Sequence, residues 1–141
     1  FVIASVHSRF SLDRDAMTQR IIRAIDNSYT TILGHPTGRL LLSRDGYPVD
    51  MEAILARAAE KGVFIEINAN PHRLDLDWRW CRKAKEMGVS FVISPDAHDI
   101  AGLGDVYYGL GIARKGWLSK DDIINCQEWD KWIKKPVMNS N

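Results

Sequence analysis

The stretch Val89-Ser90-Phe91-Val92-Ile93, running directly into Ser94-Pro95-Asp96-Ala97-His98, decides how this chain folds. A short apolar, β-branched run of this kind reads as a strand covered on both faces. The residues just past it are polar and chemically capable. The same change occurs three more times: residues 1–6 (FVIASV) end in His7, residues 30–33 (TTIL) end in Gly34-His35-Pro36, and residues 63–67 (VFIEI) end in Asn68-Ala69-Asn70. Between these runs the apolar residues recur at helical spacing. Asp13 to Asn27 carries Met17, Ile21, Ala24 and Ile25, and Asp50 to Lys61 carries Met51, Ile54, Leu55, Ala58 and Ala59. Asp77 to Met87 repeats the scheme with Trp80, Cys81, Ala84 and Met87. Gly62 stands where a helix C-terminus favours glycine, and Gly88 comes after the third helix in the same way.

Strand and helix in alternation predict a parallel α/β sheet with right-handed crossovers. Parallel strands bring all their C-terminal ends to one face, where α/β folds keep their active sites. His7, His35, Asp96 and His98 therefore converge on one surface. Histidine with carboxylate is the ligand set of a metal hydrolase.

Past Asp96 the pattern loosens. Leu103 to Arg114 reads as helical, although Gly104, Gly109 and Gly111 weaken it. Ser119 and Asp122 have the spacing of a capping box opening a short helix to about Cys126. Gln127 to Lys135 adds a last turn or two, and Pro136 to Asn141 forms a tail, so one domain occupies 1–135 and the tail 136–141. Four strand–helix units make half of a (β/α) barrel, which needs roughly 200–250 residues to close. Phe1 opens directly into a buried-type strand. Both features are expected of a piece of a larger domain. An open sheet edge pairs readily with another chain, so dimerisation through Phe1 to Val6 is expected.

At 141 residues, 45% hydrophobic and 26% charged, the chain has the composition of an ordinary soluble domain able to bury a core. A net charge of +1 neither demands nor forbids a nucleic-acid or membrane partner. Arg79, Arg82, Lys83 and Lys85, and the pair Arg114-Lys115, read as solvated helix faces. Cys81 and Cys126 lack metal or redox spacing and read as small buried helix residues in a reducing, cytoplasmic setting. No apolar run approaches the ~20 residues of a membrane span.

Asp96-Ala97-His98 is the sharpest local signal. In extended backbone, residues two apart point to the same side, which would aim carboxylate and imidazole into one cavity. The alternative is a helix N-cap aspartate beside a surface histidine. His35, between Gly34 and Pro36, and His7 each have a structural alternative as well; repetition at equivalent strand ends is what points to a metal site. His72, beside Arg73 in a loop, reads as surface. Glu66 and Asn68 share strand parity and read as pocket-lining polar groups. No Ser-His-Asp grouping, P-loop or GxGxxG occurs.

Ala4-Ser5-Val6-His7-Ser8, Leu33-Gly34-His35-Pro36-Thr37-Gly38-Arg39-Leu40-Leu41, Glu66-Ile67-Asn68-Ala69-Asn70-Pro71 and Ile93-Ser94-Pro95-Asp96-Ala97-His98 together resemble the PHP (polymerase and histidinol phosphatase) domain. Arg73-Leu74-Asp75-Leu76-Asp77 and the run from Tyr108 to Leu118 (YGLGIARKGWL) are similar to the PHP domain fused to bacterial and archaeal family X DNA polymerases. The resemblance reaches to about Asn125. It implies the C-terminal half of a distorted seven-stranded, TIM-like (β/α) barrel holding up to three divalent metals, zinc or manganese. His7 and His35 match two histidines serving one metal, Asp96 a carboxylate on a second, and His98 a ligand of the third. The family's earlier ligands, an N-terminal His-x-His with a further histidine and a bridging carboxylate, have no counterpart here.

The implied chemistry is phosphoester hydrolysis: a manganese-favouring 3′–5′ exonuclease acting on DNA ends, with abasic-site cleavage or 3′-end cleaning in repair. The implied partners are the rest of the PHP domain and a polymerase domain, and the isolated chain is expected to be inactive. Arg39, Arg114, Asn68 and Asn70 are candidate substrate residues, with a structural ion pair the alternative for either arginine. A histidinol-phosphatase-like enzyme is the second reading, against which the GHPTGRLL and GIARKGWL wording argues. A non-catalytic scaffold piece is the third.

Overall fold

The computed structural model describes residues 1–128 and 130. The turn expected over 127–135 and the tail 136–141 fall almost wholly outside the described residues. Four parallel strands, β1 (Val2–Ala4), β2 (Thr30–Leu33), β3 (Phe64–Asn68) and β4 (Phe91–Ser94), lie in the order of the sequence. They alternate with α1 (Arg14–Asp26), α2 (Met51–Lys61), α3 (Trp78–Glu86) and α4 (Val106–Lys115).

Each of the first three helices begins one residue after an aspartate whose carboxylate accepts a first-turn backbone N–H: Asp13 from Ala16 at 2.8 Å, Asp50 from Ala53 at 3.0 Å and Asp77 from Arg79 at 2.9 Å. These caps satisfy amides that the helix itself leaves without partners. Gly62 ends α2 at φ +60°, a left-handed conformation that a side chain resists. Its closure also moves the start of β3. The Val63 N–H is donated back to the Ala58 carbonyl at 2.9 Å, so the strand starts at Phe64 and continues through Asn68 rather than stopping at Ile67.

Strand parity divides the core. Leu33, Ile65, Ile67, Phe91 and Ile93 pack with Met17, Ile21 and Ile25 of α1, Ile54, Leu55 and Ala58 of α2, Cys81 and Ala84 of α3 and Ala113 of α4. On the opposite parity Ile32 and Val92 form a second, smaller cluster with Ile124 and Phe64. Beyond it, on the same parity, come Glu66, Asn68 and Ser94. A sequential parallel sheet with its helices gathered in one cluster is compatible with part of a TIM-like (β/α) barrel.

The two sheet edges differ. At β4 the Asn125 side chain donates to the Ile93 carbonyl at 3.0 Å and accepts from its N–H at 2.8 Å, standing in for a neighbouring strand. At β1 the residues Phe1, Val2 and Ile3 are 71%, 47% and 49% exposed.

Past β4 the chain departs from the expected single helix. A 3-10 turn at Ala101–Asp105 leads into α4, which begins only at Val106. Gly109 is the reason α4 can settle on the sheet, because a Cβ there would lie 2.6 Å from Ile93 Cγ2 and 2.7 Å from Ala69 Cβ. The Ser119–Asp122 capping box forms, but it opens two short 3-10 turns, Lys120–Asp122 and Ile124–Cys126, rather than one helix. Cys81 is buried as expected, whereas Cys126 is exposed because it lies at the end of the last of these turns. Among the described residues no helix is long and apolar enough to cross a membrane.

Candidate functional site

His7 and His35 emerge just past the C-terminal ends of adjacent strands, β1 and β2. Their rings meet edge-on, with centroids 5.1 Å apart and planes at 86°. His35 is buried, and its Nδ1 has no hydrogen-bond partner. Burial first, then the nearby Arg73 guanidinium, holds the His35 imidazole below its ordinary pKa. The ring is therefore neutral at neutral pH, the form that binds a metal or accepts a proton. His7 is exposed, its Nε2 lying 2.8 Å from Ser5 Oγ.

What fixes His35 is a pair of buried carboxylates. Glu66 Oε2 accepts the His35 backbone N–H at 2.6 Å. Asp75 Oδ2 accepts the N–H groups of Thr37 and Gly38, both at 3.0 Å. Pro36 has no N–H to offer. The two carboxylates thus take every backbone donor from His35 to Gly38, and hold His35 at φ +29°, where a side chain is strained. Gly34 permits this approach: a Cβ on it would come within 3.1 Å of Ile3 Cγ2 and 3.5 Å of Glu66 Oε2.

Glu66 also accepts from Asn68 Nδ2 at 3.3 Å and from the Ser94 hydroxyl, so it ties the ends of β2, β3 and β4 together. Burial raises its pKa against these hydrogen bonds. Asp75 is fully buried, its Oδ1 has no partner, and burial raises its pKa to about 6. Sequence reasoning placed Glu66 as a pocket-lining group and assigned Asp75 no role. The one available signal was the lone acid of the Phe64–Ile67 strand, which must find donors or be destabilised by burial.

Asp96 and His98 are not carried on extended backbone. Asp96 has φ +53°, a left-handed turn that breaks the two-residue parity. Its carboxylate receives Arg73 Nε at 3.1 Å, while the exposed His98 donates Nδ1–H to the Asp96 carbonyl at 2.7 Å. Asp96 nevertheless lies close enough to His35 to act on its charge.

Asn68 and Asn70 build the loop that delivers Arg73 to Asp96. Asn68 exchanges backbone hydrogen bonds with Asp75, its Oδ1 accepts the Asn70 N–H at 3.1 Å, and Asn70 Oδ1 accepts the His72 N–H at 2.9 Å. His72 is exposed. Arg39 donates to the Arg73 carbonyl at 2.8 Å, to the Leu74 carbonyl and to Asp77 Oδ2 at 2.7 Å, so its guanidinium is engaged in a half-buried ion pair. Arg114 stands exposed on the last turn of α4.

No protein-family model matches the chain. Individual proteins do. Over 126 residues, 89% of this chain, it is 40% identical to the DNA polymerase/3'-5' exonuclease PolX of Bacillus subtilis. It is also 34% identical over 133 residues to a probable phosphatase of Thermoanaerobacter sp. and 30% identical over 119 residues to one of Shewanella sp.. The PHP likeness holds over nearly the whole chain. The chain spans 22% of the polymerase and 52% and 45% of the two phosphatases. It is thus the counterpart of only part of each of these relatives.

The unpartnered Nδ1 of neutral His35, edge-on to His7, suits a divalent cation that takes nitrogen ligands. Among the described residues, however, no group of three or more His, Cys, Asp or Glu is placed to hold a metal ion. These residues do not by themselves fit a multi-metal centre.

Proposed function

We propose that this chain is the strand-end portion of a PHP-type metal-dependent phosphoesterase acting on DNA ends, as the exonuclease part of a family X polymerase would. The observation that carries the reading is the His7–His35 pair, with a buried, neutral imidazole whose Nδ1 is free. In this reading His7 and His35 bind zinc or manganese, Asp96 and His98 add ligands once the rest of the domain is present, and the protein is cytoplasmic. Bound metal would polarise the phosphate and supply hydroxide at neutral pH. Asn68, Asn70 and Arg39 then act by shaping the loops around the site, and Arg114 is left to contact a phosphate. The likeness to probable phosphatases supports a second reading, hydrolysis of a small phosphomonoester. The absence of a three-ligand group among the described residues supports a third, in which the chain alone is a scaffold.

Elemental analysis of the purified chain separates the scaffold reading from the first two. The first two readings predict bound zinc or manganese that is lost on His35→Ala; metal-free protein in every preparation sinks metal binding by this chain alone. In the first reading the exposed edge of β1 pairs with strands of the rest of the domain or, in the chain by itself, with a second copy. A dimer mass by sedimentation is expected, and a strictly monomeric mass at high concentration removes the second copy.

A further inference from the structure

His7 and His35 are held by different means. His35 is buried, and its loop is clamped through backbone N–H groups by Glu66 and Asp75. His7 is exposed, so core packing does not fix its ring, and its place depends on the segment that carries it. That segment, from His7 to Phe10, lies in neither strand nor helix. Arg20 of α1 pins it at Ser8, donating to the carbonyl at 2.7 Å and to Oγ at 3.3 Å. Arg9 follows at φ +54°, a sparsely populated conformation that persists only where the surroundings impose it.

Phe10 then reaches across to the chain that follows His35. Its ring stacks with that of Tyr47, centroids 6.3 Å apart and planes at 11°, and the Arg44 guanidinium lies over it, 4.4 Å from its centroid. Ring pairs and cation–ring pairs attract at these separations. Tyr47 and Arg44 are in turn bonded to the His35 loop. The Tyr47 N–H donates to the Thr37 carbonyl at 3.1 Å, and Arg44 Nη2 donates to the Gly38 carbonyl at 2.7 Å. Shape ties Gly38 to the stack as well: it has φ +63°, and a Cβ on it would lie 2.4 Å from Tyr47 Cε1. The two acids thus hold this loop by its N–H groups, Tyr47 and Arg44 hold it by its carbonyls, and Phe10 joins it to the segment carrying His7.

We infer that the Phe10–Tyr47–Arg44 stack sets the spacing of the two histidines, which makes Phe10 a positioning residue for the pair. Its consequence for metal affinity rests on the metal reading proposed above; its consequence for the contact between the rings does not. Phe10→Leu would keep apolar bulk against the core but offer no ring face to Tyr47 or Arg44. His7 would then leave its 5.1 Å contact with His35 while the fold persists. Phe10→Tyr keeps the ring face.

The test reads two quantities on the full chain: zinc affinity by competition with a chromogenic chelator, and the nuclear Overhauser contact between the imidazole protons of His7 and His35. In Phe10→Leu the ring contact is expected to vanish and zinc affinity to fall roughly 10–100-fold, as when a group that orients a metal ligand is lost. Phe10→Tyr should restore both. Val89→Ala removes apolar bulk from the same core, just before β4 and at the opposite end of that strand from the histidines. It should cost stability in urea denaturation and leave both quantities unchanged. Parental ring contact and zinc affinity in Phe10→Leu overturn the inference. So does an equal loss in Val89→Ala, which would make the effect one of general stability. The two readings fail separately. If the unaltered chain binds no zinc, metal binding by this chain alone falls and the ring contact decides the stack. A contact present in the parent and lost in Phe10→Leu supports it; a contact absent from the parent, or kept in Phe10→Leu, overturns it.

Discussion

Glu66→Leu is expected to cost about 2–4 kcal/mol of stability and to release His35, whereas Glu66→Gln should cost less than about 1 kcal/mol. The difference arises from the donors Glu66 serves. Leucine fills a similar volume but leaves the His35 N–H, Asn68 Nδ2 and the Ser94 hydroxyl without an acceptor at a buried position. Each such orphan costs about 1–3 kcal/mol, offset in part because a buried carboxylate is no longer desolvated. Glutamine keeps one oxygen for the His35 N–H and presents an amide to Ser94, whose hydroxyl can turn to accept it. Urea denaturation gives the stabilities, and amide hydrogen exchange reads the His35 N–H directly. Fast exchange at His35 in the leucine variant, with protection retained in the glutamine variant, is the expected pattern. Equal stability and equal protection in both would mean that Glu66 does not orient His35.

The helices and strands were legible because each is specified locally. Asp13, Asp50 and Asp77 mark three helix starts that the structure places one residue later, and Gly62 ends α2 where its left-handed backbone demands. The convergence of His7 and His35 was legible too, since parallel strands leave no other place for their C-terminal ends. What sequence spacing did not carry was backbone handedness in the loops. Asp96 at φ +53° turns a supposed Asp-x-His pair into an Arg73 ion pair and a solvent-facing imidazole. Of the two readings open for Arg39 the structure shows the ion pair, with Asp77, but its other partners were equally hidden. Those are the Arg73 and Leu74 carbonyls, more than thirty residues away and brought close by the Asn68–Asp75 loop closure.

Asp75→Asn is expected to stabilise the protein at neutral pH by about 1–3 kcal/mol and to have little effect near about pH 4. Asp75 is fully buried, has one oxygen with no partner, and titrates at about 6 in the folded state. Thr37 and Gly38 donate to its other oxygen, and the Arg39 charge favours its ionised form. That guanidinium is bonded to Asp77, however, and does not reach Asp75. The buried Tyr47 faces it as well, and its phenol is pushed up by burial and by the Asp75 charge. A carboxyl raised from its unfolded value of 3.8 binds more protons in the folded state across that interval. Its contribution is fully present below the unfolded value and is lost as pH rises through about 6, the reverse of a salt-bridged aspartate. Asparagine keeps an oxygen for Thr37 and Gly38 and removes the charge, so the gain should grow as pH rises from 3.8 to about 6 and level off above that. Neutral His35 and raised Glu66 titrate nearby in opposite senses, so the quantity to measure is the difference between variant and parent in urea unfolding across pH. A difference that does not change with pH would mean that the fold does not raise the Asp75 carboxyl above its unfolded value. A loss of stability at neutral pH would mean that its charge, rather than its two accepted N–H groups, holds the His35 loop.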